Sequence, residues 1–502
     1  MGLARCEAPL TAHNEKREAF RVSGGCGIVP KILSAVQEET ILLHKEGDII
    51  MRKLLARKIL RVWLLAVVCA AGMSFAARAN QTVTLAVSSG ENITKQFNKA
   101  SREAVSKSGT TTIVIPPGVY WVDQLKVWGH TTVSMEGVTL FNADGAHSML
   151  RFGAKSTDWD EYNNGAGRGG YSADFSDISF QGGTWDNFNC PTCIMQIGHS
   201  QNLSFTGVTF RNVNTSHHLE FGACQNVRIT NCTFTGYSGD FGDAYNGEAI
   251  QFEILSGVAK KHFGGYNPLT DETPCKNVEI SGCTFDGLKR GVGSHTAIAN
   301  SYFTGFRIHD NTFRNITGYA VSMMNYKDSS VYNNTITQCG AGILCAASER
   351  SHSNFYASAL FSNRRSAPMN LNCQIYNNVL SIDPGANGAL YNNENYGIWV
   401  FGEKLKKKKG TIPPGDWRAC GVTVRGNRIT MNTSGSGILL TGAKGVTVSG
   451  NTVTCGKGRA DGIKVTLSGQ IVLRKNTVRG AGKRGIRASG RQLKTNKGNK
   501  VS

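Results

Sequence analysis

The sequence predicts an all-β fold: a right-handed, single-stranded parallel β-helix with a short capping helix at its N-terminal end. Three observations predict it. First, a motif of the form apolar-x-apolar-x-x-(Asn/Cys/Gly)-x-apolar recurs along the chain. It reads VRITNCTF at 227–234, VEISGCTF at 278–285, FRIHDNTF at 306–313, VTVRGNRI at 422–429 and VTVSGNTV at 446–453. Second, each copy is followed by another short apolar segment, such as EAIQFEI (248–254), YAVSMMN (319–325) or SGILLTG (436–442). Third, 59 glycines and a charged fraction of only 18% in 502 residues favour short strands joined by tight turns over long helices. A hydrophobic content of 40% excludes wholesale disorder, and the absence of a three-residue glycine period excludes collagen.

From the N-terminus, residues 1–50 read as an upstream extension preceding the natural start. Met51 opens a basic stretch with Arg52, Lys53, Arg57, Lys58 and Arg61. An apolar run from Val62 to Ala77 follows, ending in Ala77-Arg78-Ala79. Charge, length and small-residue site together predict a signal peptide over 51–79, hence a secreted or periplasmic bacterial protein with no integral membrane segment after cleavage. Next, Ile93, Phe97, Ala100 and Ala104 share one helical face. A helix there would cover the open edge of the solenoid. TTIVIPPGVYWV (111–122) reads as the first turn, and the β-helix is expected to run over 80–490.

The marked position of the repeat falls at Gly183, Val208, Cys232, Cys283, Asn311, Asn334, Asn378, Asn427, Asn451 and Asn476. Most steps are 23–28 residues, one turn of the helix; three are about twice that. Stacked turns lie about 4.8 Å apart. A recurrent asparagine therefore suits an inward ladder, each side chain bonding its copies above and below. A propeller blade needs some 40 residues and a leucine-rich repeat needs regular leucines, so neither fits. Cys232 and Cys283 share one ladder position, as do Cys224 and Cys275 another. With 51 residues read as two turns, about 9.6 Å, they are expected to be buried thiols rather than disulfides.

Several of these segments resemble the pectin-lyase-like superfamily of parallel β-helices. The capping helix followed by IPPGVYWV and GVTLFNADG resembles the opening of secreted polygalacturonase and pectate-lyase-type chains. The run HHLEF…NVRITNCTF…GEAIQFEI…VEISGCTF…GSH is similar to bacterial β-helix repeat proteins presumed to act on polysaccharides. The resemblance covers roughly residues 85–490 and implies a polysaccharide partner. The polygalacturonase signature of Asn-x-Asp, paired Asp-Asp and Gly-His-Gly is absent, so no catalytic residue is carried over from it.

The candidate site comes from strand alternation. If Leu219 and Phe221, and then Ile250 and Phe252, point inward, the residues between them point outward. Three consecutive turns then place His218 and Glu220, Gln251 and Glu253, and Gly293 and His295 on one solvent-facing patch. Glu220 and Glu253 would have Cα atoms about 8 Å apart. A pair of carboxylates at such range serves as acid and base, or nucleophile, in glycosidic cleavage, and the histidines would carry protons or hold sugar. The expected catalytic set is thus Glu220, Glu253, His218 and His295. The expected substrate-binding set is Gln251, Glu248, Asp243, Tyr266 and Trp417, the last two from insertions that follow the second strand. No cofactor is expected; Asp240, Asp243 and Glu248 leave a calcium site as an alternative. Residues 470–502 carry ten Lys and Arg and no acid, and 491–502 read as a basic tail. In an exported protein such a balance favours an anionic polysaccharide over nucleic acid. Two functions compete: a glycoside hydrolase, or a lyase or epimerase, acting through these acids; and a non-catalytic glycan binder of adhesin or tailspike type.

Overall fold

The computed structural model describes residues 80–502 except 106–108, 152–169, 173–174, 240–246, 256–270, 295–296, 300, 349–354, 358–366, 384–394, 409–411, 413, 457–459 and 483–484. The leader lies outside the described residues. The chain winds as a parallel β-helix whose turns stack in register. Right-handedness follows from the near-universal hand of parallel crossovers. Each turn has three strand segments, one more than the repeat alone revealed. In one turn these are Thr209–Val213 and a long strand, Leu219–Thr230, bent into two faces. The bend falls where Ala223 and Asn226 take left-handed φ of 53° and 54°. Asparagine tolerates that region through its short polar side chain, and here it also ladders: Asn277 donates to Asn226, and Asn226 to Asn202, at 3.1 and 2.9 Å.

The core follows from the register. Phe210, Phe234, Phe285 and Phe313 are mutually in register on adjacent turns and stack face to face at 5.2, 4.8 and 4.5 Å. Stacking of identical residues at the turn spacing is what makes the repeat cooperative. The asparagine ladder forms as expected and extends one step further, to Asn499. Each rung accepts a backbone N–H from the previous turn and donates its amide to the next rung, as in Asn311 to Asn334 at 3.0 Å.

The long steps are single turns carrying insertions. Residues 225–230 pair directly with 276–281, and Asn334 bonds Asn378 across 44 residues. Cys232 and Cys283 therefore sit on adjacent turns, not two apart. Their thiols are free, and the sulfur of Cys283 accepts the Cys232 N–H at 3.4 Å, taking over the ladder's role. Cys275 does the same for Cys224 at 3.3 Å. All eleven described cysteines are free.

At the N-terminal end, Gln81–Thr84 pairs with Thr111–Val114, so a strand precedes the expected first turn. Between them runs the helix Thr94–Val105, with Ile93 and Phe97 fully buried beneath it. Its polar side chains meet the exposed chain edge. The Thr94 hydroxyl accepts from Asp123 N at 2.9 Å and Asn98 Oδ1 from Lys126 N at 2.8 Å. The helix thus satisfies backbone donors that a bare edge would leave open. At the other end, Leu493–Lys497 and Lys500–Val501 pair with the preceding turn. The basic segment read as a tail is the last turn of the solenoid.

Candidate functional site

In the sheet that holds the first half of Leu219–Thr230, Met195, Leu219, Ile250, Val292, Val321 and Ile343 form one inward file. One residue further on, the register aligns an outward file: Arg151, Gln196, Glu220, Gln251, Gly293, Ser322 and Leu344. Glu253 pairs with Gly222, so Glu220 and Glu253 are diagonal neighbours on one face of adjacent turns. Their Cα spacing is about 8 Å.

The face is not open to solvent, which corrects the expectation of a solvent-facing cluster. Glu220, Glu253 and Glu248 are 2%, 1% and 0% exposed. Part of the cover is described. Leu255 lies over Gly222, so closely that a Cβ there would sit 2.7 Å from its Cδ2. Glu272 N then bonds Leu255 O, and the Ser301 hydroxyl bonds Glu272 O, both at 2.8 Å. Leu255, with Glu272 bonded to it, therefore covers part of this strand.

Enclosed carboxylates need partners, and these have them. Glu220 accepts from the Gln196 amide at 2.8 Å and from the Cys193 thiol at 3.4 Å, and burial pushes that thiol well up. Ser148 in turn donates to Gln196 at 3.0 Å. Glu253 accepts from the Gln251 amide at 2.5 Å. Glu248 pairs with the fully buried Arg290 at 3.1 Å and accepts the Tyr319 hydroxyl at 2.5 Å, while His217 Nδ1 donates to its backbone oxygen at 3.1 Å. The Arg290 guanidinium also lies 5.5 Å from the Tyr319 ring centre. The Tyr319 ring approaches Gly293, where a Cβ would meet its Cε2 and hydroxyl at 3.0 Å. Gln251 Oε1 and Ser322 Oγ, on the turns either side of Gly293, are buried with no hydrogen-bond partner.

Three expected site residues are placed otherwise. His218 faces inward: its ring packs edge-on against Phe234 and its Nε2 bonds Thr235 O at 3.0 Å. Its position in the register is held by glycine or alanine on later turns. At Gly291 a Cβ would meet the core ring of Phe313, so this column points into the core. Burial lowers the His218 pKa to about 4. Glu248 is committed to Arg290 and Tyr319, not presented to a substrate, and the same ion pair competes with the calcium alternative. Trp417 is completely buried in the strand Gly415–Trp417, which pairs antiparallel with Glu403–Leu405, so it offers no stacking face. Gln251 stands in the cluster as expected. His295, Asp243, Tyr266 and Asp240 lie outside the described residues. Sequence reasoning missed Arg290, Tyr319, Gln196 and His217. A usable signal existed: Glu248, Arg290 and Tyr319 each open the second apolar segment of their turn.

A family model described as periplasmic copper-binding protein (NosD) matches residues 372–502. That segment contains no histidine; its Cys373, Met431 and Cys455 are buried and its Cys420 is half-buried. Among the described residues, no group of three or more His, Cys, Asp or Glu is placed to hold a metal ion. Among curated proteins, none matches the sequence. Among solved structures, the chain is similar to PfbA, a surface adhesin of Streptococcus pneumoniae, at 18% identity over 84% of this chain and 91% of that one, with a TM-score of 0.60. It is also similar to a double mutant of the tailspike protein of E. coli bacteriophage HK620, at 13% identity over 78% and 63%, TM-score 0.50; that tailspike has also been solved with a pentasaccharide. A family 28 exopolygalacturonase of Yersinia enterocolitica gives 11% identity over 84% and 78%, TM-score 0.47. The register and the likeness to the adhesin show the fold, a right-handed parallel β-helix. Among the described residues, no helix is long and apolar enough to cross a membrane.

Proposed function

We propose that the protein is an exported glycan-active β-helix enzyme that cleaves glycosidic bonds with Glu220 and Glu253. The observation that carries this reading is the pairing of two buried, hydrogen-bonded carboxylates diagonally on adjacent turns. Each is oriented by a glutamine amide, and an enclosed site raises the effect of such charges on a transition state. Gln251 and Ser322 supply hydrogen-bonding atoms for sugar hydroxyls. An enclosed site suits a chain end or short oligosaccharide better than the middle of a long polymer. The signal sequence and the periplasmic description of the matching family model support export.

The second reading, a non-catalytic glycan binder, is favoured by one observation: all three carboxylates are almost without solvent contact. Incubation with a polysaccharide and oligosaccharide panel separates the two. New reducing ends without new ultraviolet absorbance indicate hydrolysis; absorbance of a new conjugated double bond indicates a lyase. Glu220→Gln and Glu253→Gln should each lower turnover by orders of magnitude while thermal unfolding stays close to wild type, because an amide keeps the shape but not the proton chemistry. Near-normal turnover in both variants would remove these two residues from the mechanism.

A further inference from the structure

A second face carries chemistry that the carboxylate cluster does not use. On the outer side of the sheet that holds Thr209–Val213, the register aligns Trp121, Phe141, Asp186 and Arg211 on successive turns. Trp121 and Phe141 sit 5.3 Å apart, and Phe188 meets both edge-on at 5.7 and 5.9 Å. Phe188 is 59% exposed. It is also held at a φ of 52°, a conformation costly for a bulky side chain.

The strain has an identifiable source. Asp186 is buried and commits both carboxylate oxygens: Oδ1 accepts from Phe188 N and from Asn212 Nδ2 at 2.9 Å, and Oδ2 accepts from Arg211 Nε at 2.7 Å. One buried acid thus fixes an exposed phenylalanine in a disfavoured backbone and, beside it, a guanidinium whose side chain is 40% exposed. The edge contacts with Trp121 and Phe141 leave most of the ring exposed, so a disfavoured backbone is retained for an outward apolar surface, which is a pointer to function.

We infer that this face is a glycan-binding platform, on which the apolar C–H face of a pyranose ring packs against Phe188, Trp121 and Phe141 while Arg211 donates to its hydroxyls. The chemistry of the patch selects this occupant. Aromatic rings beside a fixed donor match a sugar, which is apolar on its faces and polar at its rim. A second protein is a poorer match. An aromatic side chain buries roughly 150–250 Å², and one of these three is more than half exposed, so the patch falls well short of the roughly 800 Å² per partner of a stable interface. The platform lies on a different sheet from Glu220 and Glu253, so it would hold a polymer to the protein independently of any cleavage.

Affinity electrophoresis of the mature protein through gels containing laminarin, xyloglucan or polygalacturonate tests this. Wild type should be retarded in at least one gel. Phe188→Ala should bind at least about tenfold more weakly, the change expected from roughly 1.4 kcal/mol of lost ring contact. Its thermal midpoint should not fall. Phe188→Tyr should restore retardation, and Phe188→Gly, suited to the left-handed φ, repeats the loss if the alanine variant folds poorly. Three results would each overturn the inference: no retardation of wild type in any gel; equal retardation of wild type and Phe188→Ala; or a wild-type dimer by light scattering that Phe188→Ala makes monomeric.

Discussion

Asn427 is the rung at which the ladder's contribution can be measured. Its amide nitrogen donates to Ile375 O at 3.0 Å, to Arg425 O at 3.2 Å and to Asn451 Oδ1 at 3.0 Å; its Oδ1 accepts from the backbone N and side-chain amide of Asn378, both at 3.0 Å. Asn427→Ala strands the Asn378 N–H in a site without solvent, whereas the Asn378 amide keeps Val331 O and Tyr376 O and the Asn451 carbonyl keeps the Asn427 N–H. A stranded buried group costs about 1–3 kcal/mol, and the lost amide bonds to Ile375 O, Arg425 O and Asn451 Oδ1 add to it, so a loss of roughly 2–4 kcal/mol is expected. Asn427→Cys should lose less, because a sulfur already accepts the equivalent N–H at Cys283 and Cys275. Urea titration followed by circular dichroism, at several wavelengths to test for one transition, gives the comparison. Asn226→Gly is the control. That asparagine also ladders, but at an exposed bend where its φ of 54° suits glycine, so the change should stay within a few tenths of a kcal/mol. A loss below about 1 kcal/mol for Asn427→Ala, or alanine and cysteine variants of equal stability, would refute the view that the rungs act by satisfying the backbone of the turn before.

Two further outcomes follow. His218 is depressed in the folded state to about 4 from an ordinary 6.5. The unfolded chain therefore takes up a proton first as pH falls, and stability should be full above pH 6.5 and fall by roughly 3 kcal/mol between 6.5 and 4; His218→Gln should flatten that slope, and an unchanged slope would place the histidine in contact with water. Gly437→Ala would bring a Cβ to 2.3 Å from Val453 Cγ1, an overpacking of about 1–3 kcal/mol that Val453→Ala should partly relieve in a double-mutant cycle by denaturation.

The fold was legible because a solenoid writes its core into the sequence once per turn. Phe234, Phe285 and Phe313 recur two residues after the marked position because they stack on one another, and Asn311 to Asn476 because each needs the next. The number of turns between repeats was not legible. Insertions carry no period, so the 51 residues from Cys232 to Cys283 look like two turns when they are one turn and a loop. The phase of the second strand was legible only from Leu219 onward. His218 and Glu220 bracket an inward residue, and simple alternation puts both outside. The chain changes phase at the strand entrance, however, and the preceding column points into the core. Its residues on later turns are Ala249, Gly291, Ala320, Gly342, Gly397 and Gly437. A column of glycine and alanine beside a column of Leu, Ile and Val is the mark of close approach by the opposite sheet, and His218 occupies that column. Burial of the outward file was not legible at all, since it depends on where a non-repeating insertion comes to rest.

Burial also sets what the carboxylate face can do. A glutamate exposed on a strand keeps its charge cheaply and can be replaced at little cost. Glu220 and Glu253, enclosed and each aligned by a glutamine, are expensive to keep ionised, and the fold supplies Gln196, Cys193 and Gln251 to hold them. A structural role would be met by a salt bridge such as the one Arg290 makes with Glu248, or by an apolar pair. Later turns of the same file take the second course: Leu344, Trp399 and Leu439 follow Ser322 in register. The polar stretch runs from Arg151 to Ser322, and Leu255 lies over Gly222 within it. The described ends of the insertion, Leu255 and Glu272, and the acids thus lie together on one stretch of the sheet. Buried partnerless atoms at Gln251 and Ser322 within it are hydrogen-bonding capacity that the folded chain leaves unused, which is what a site for a hydroxyl-rich ligand requires.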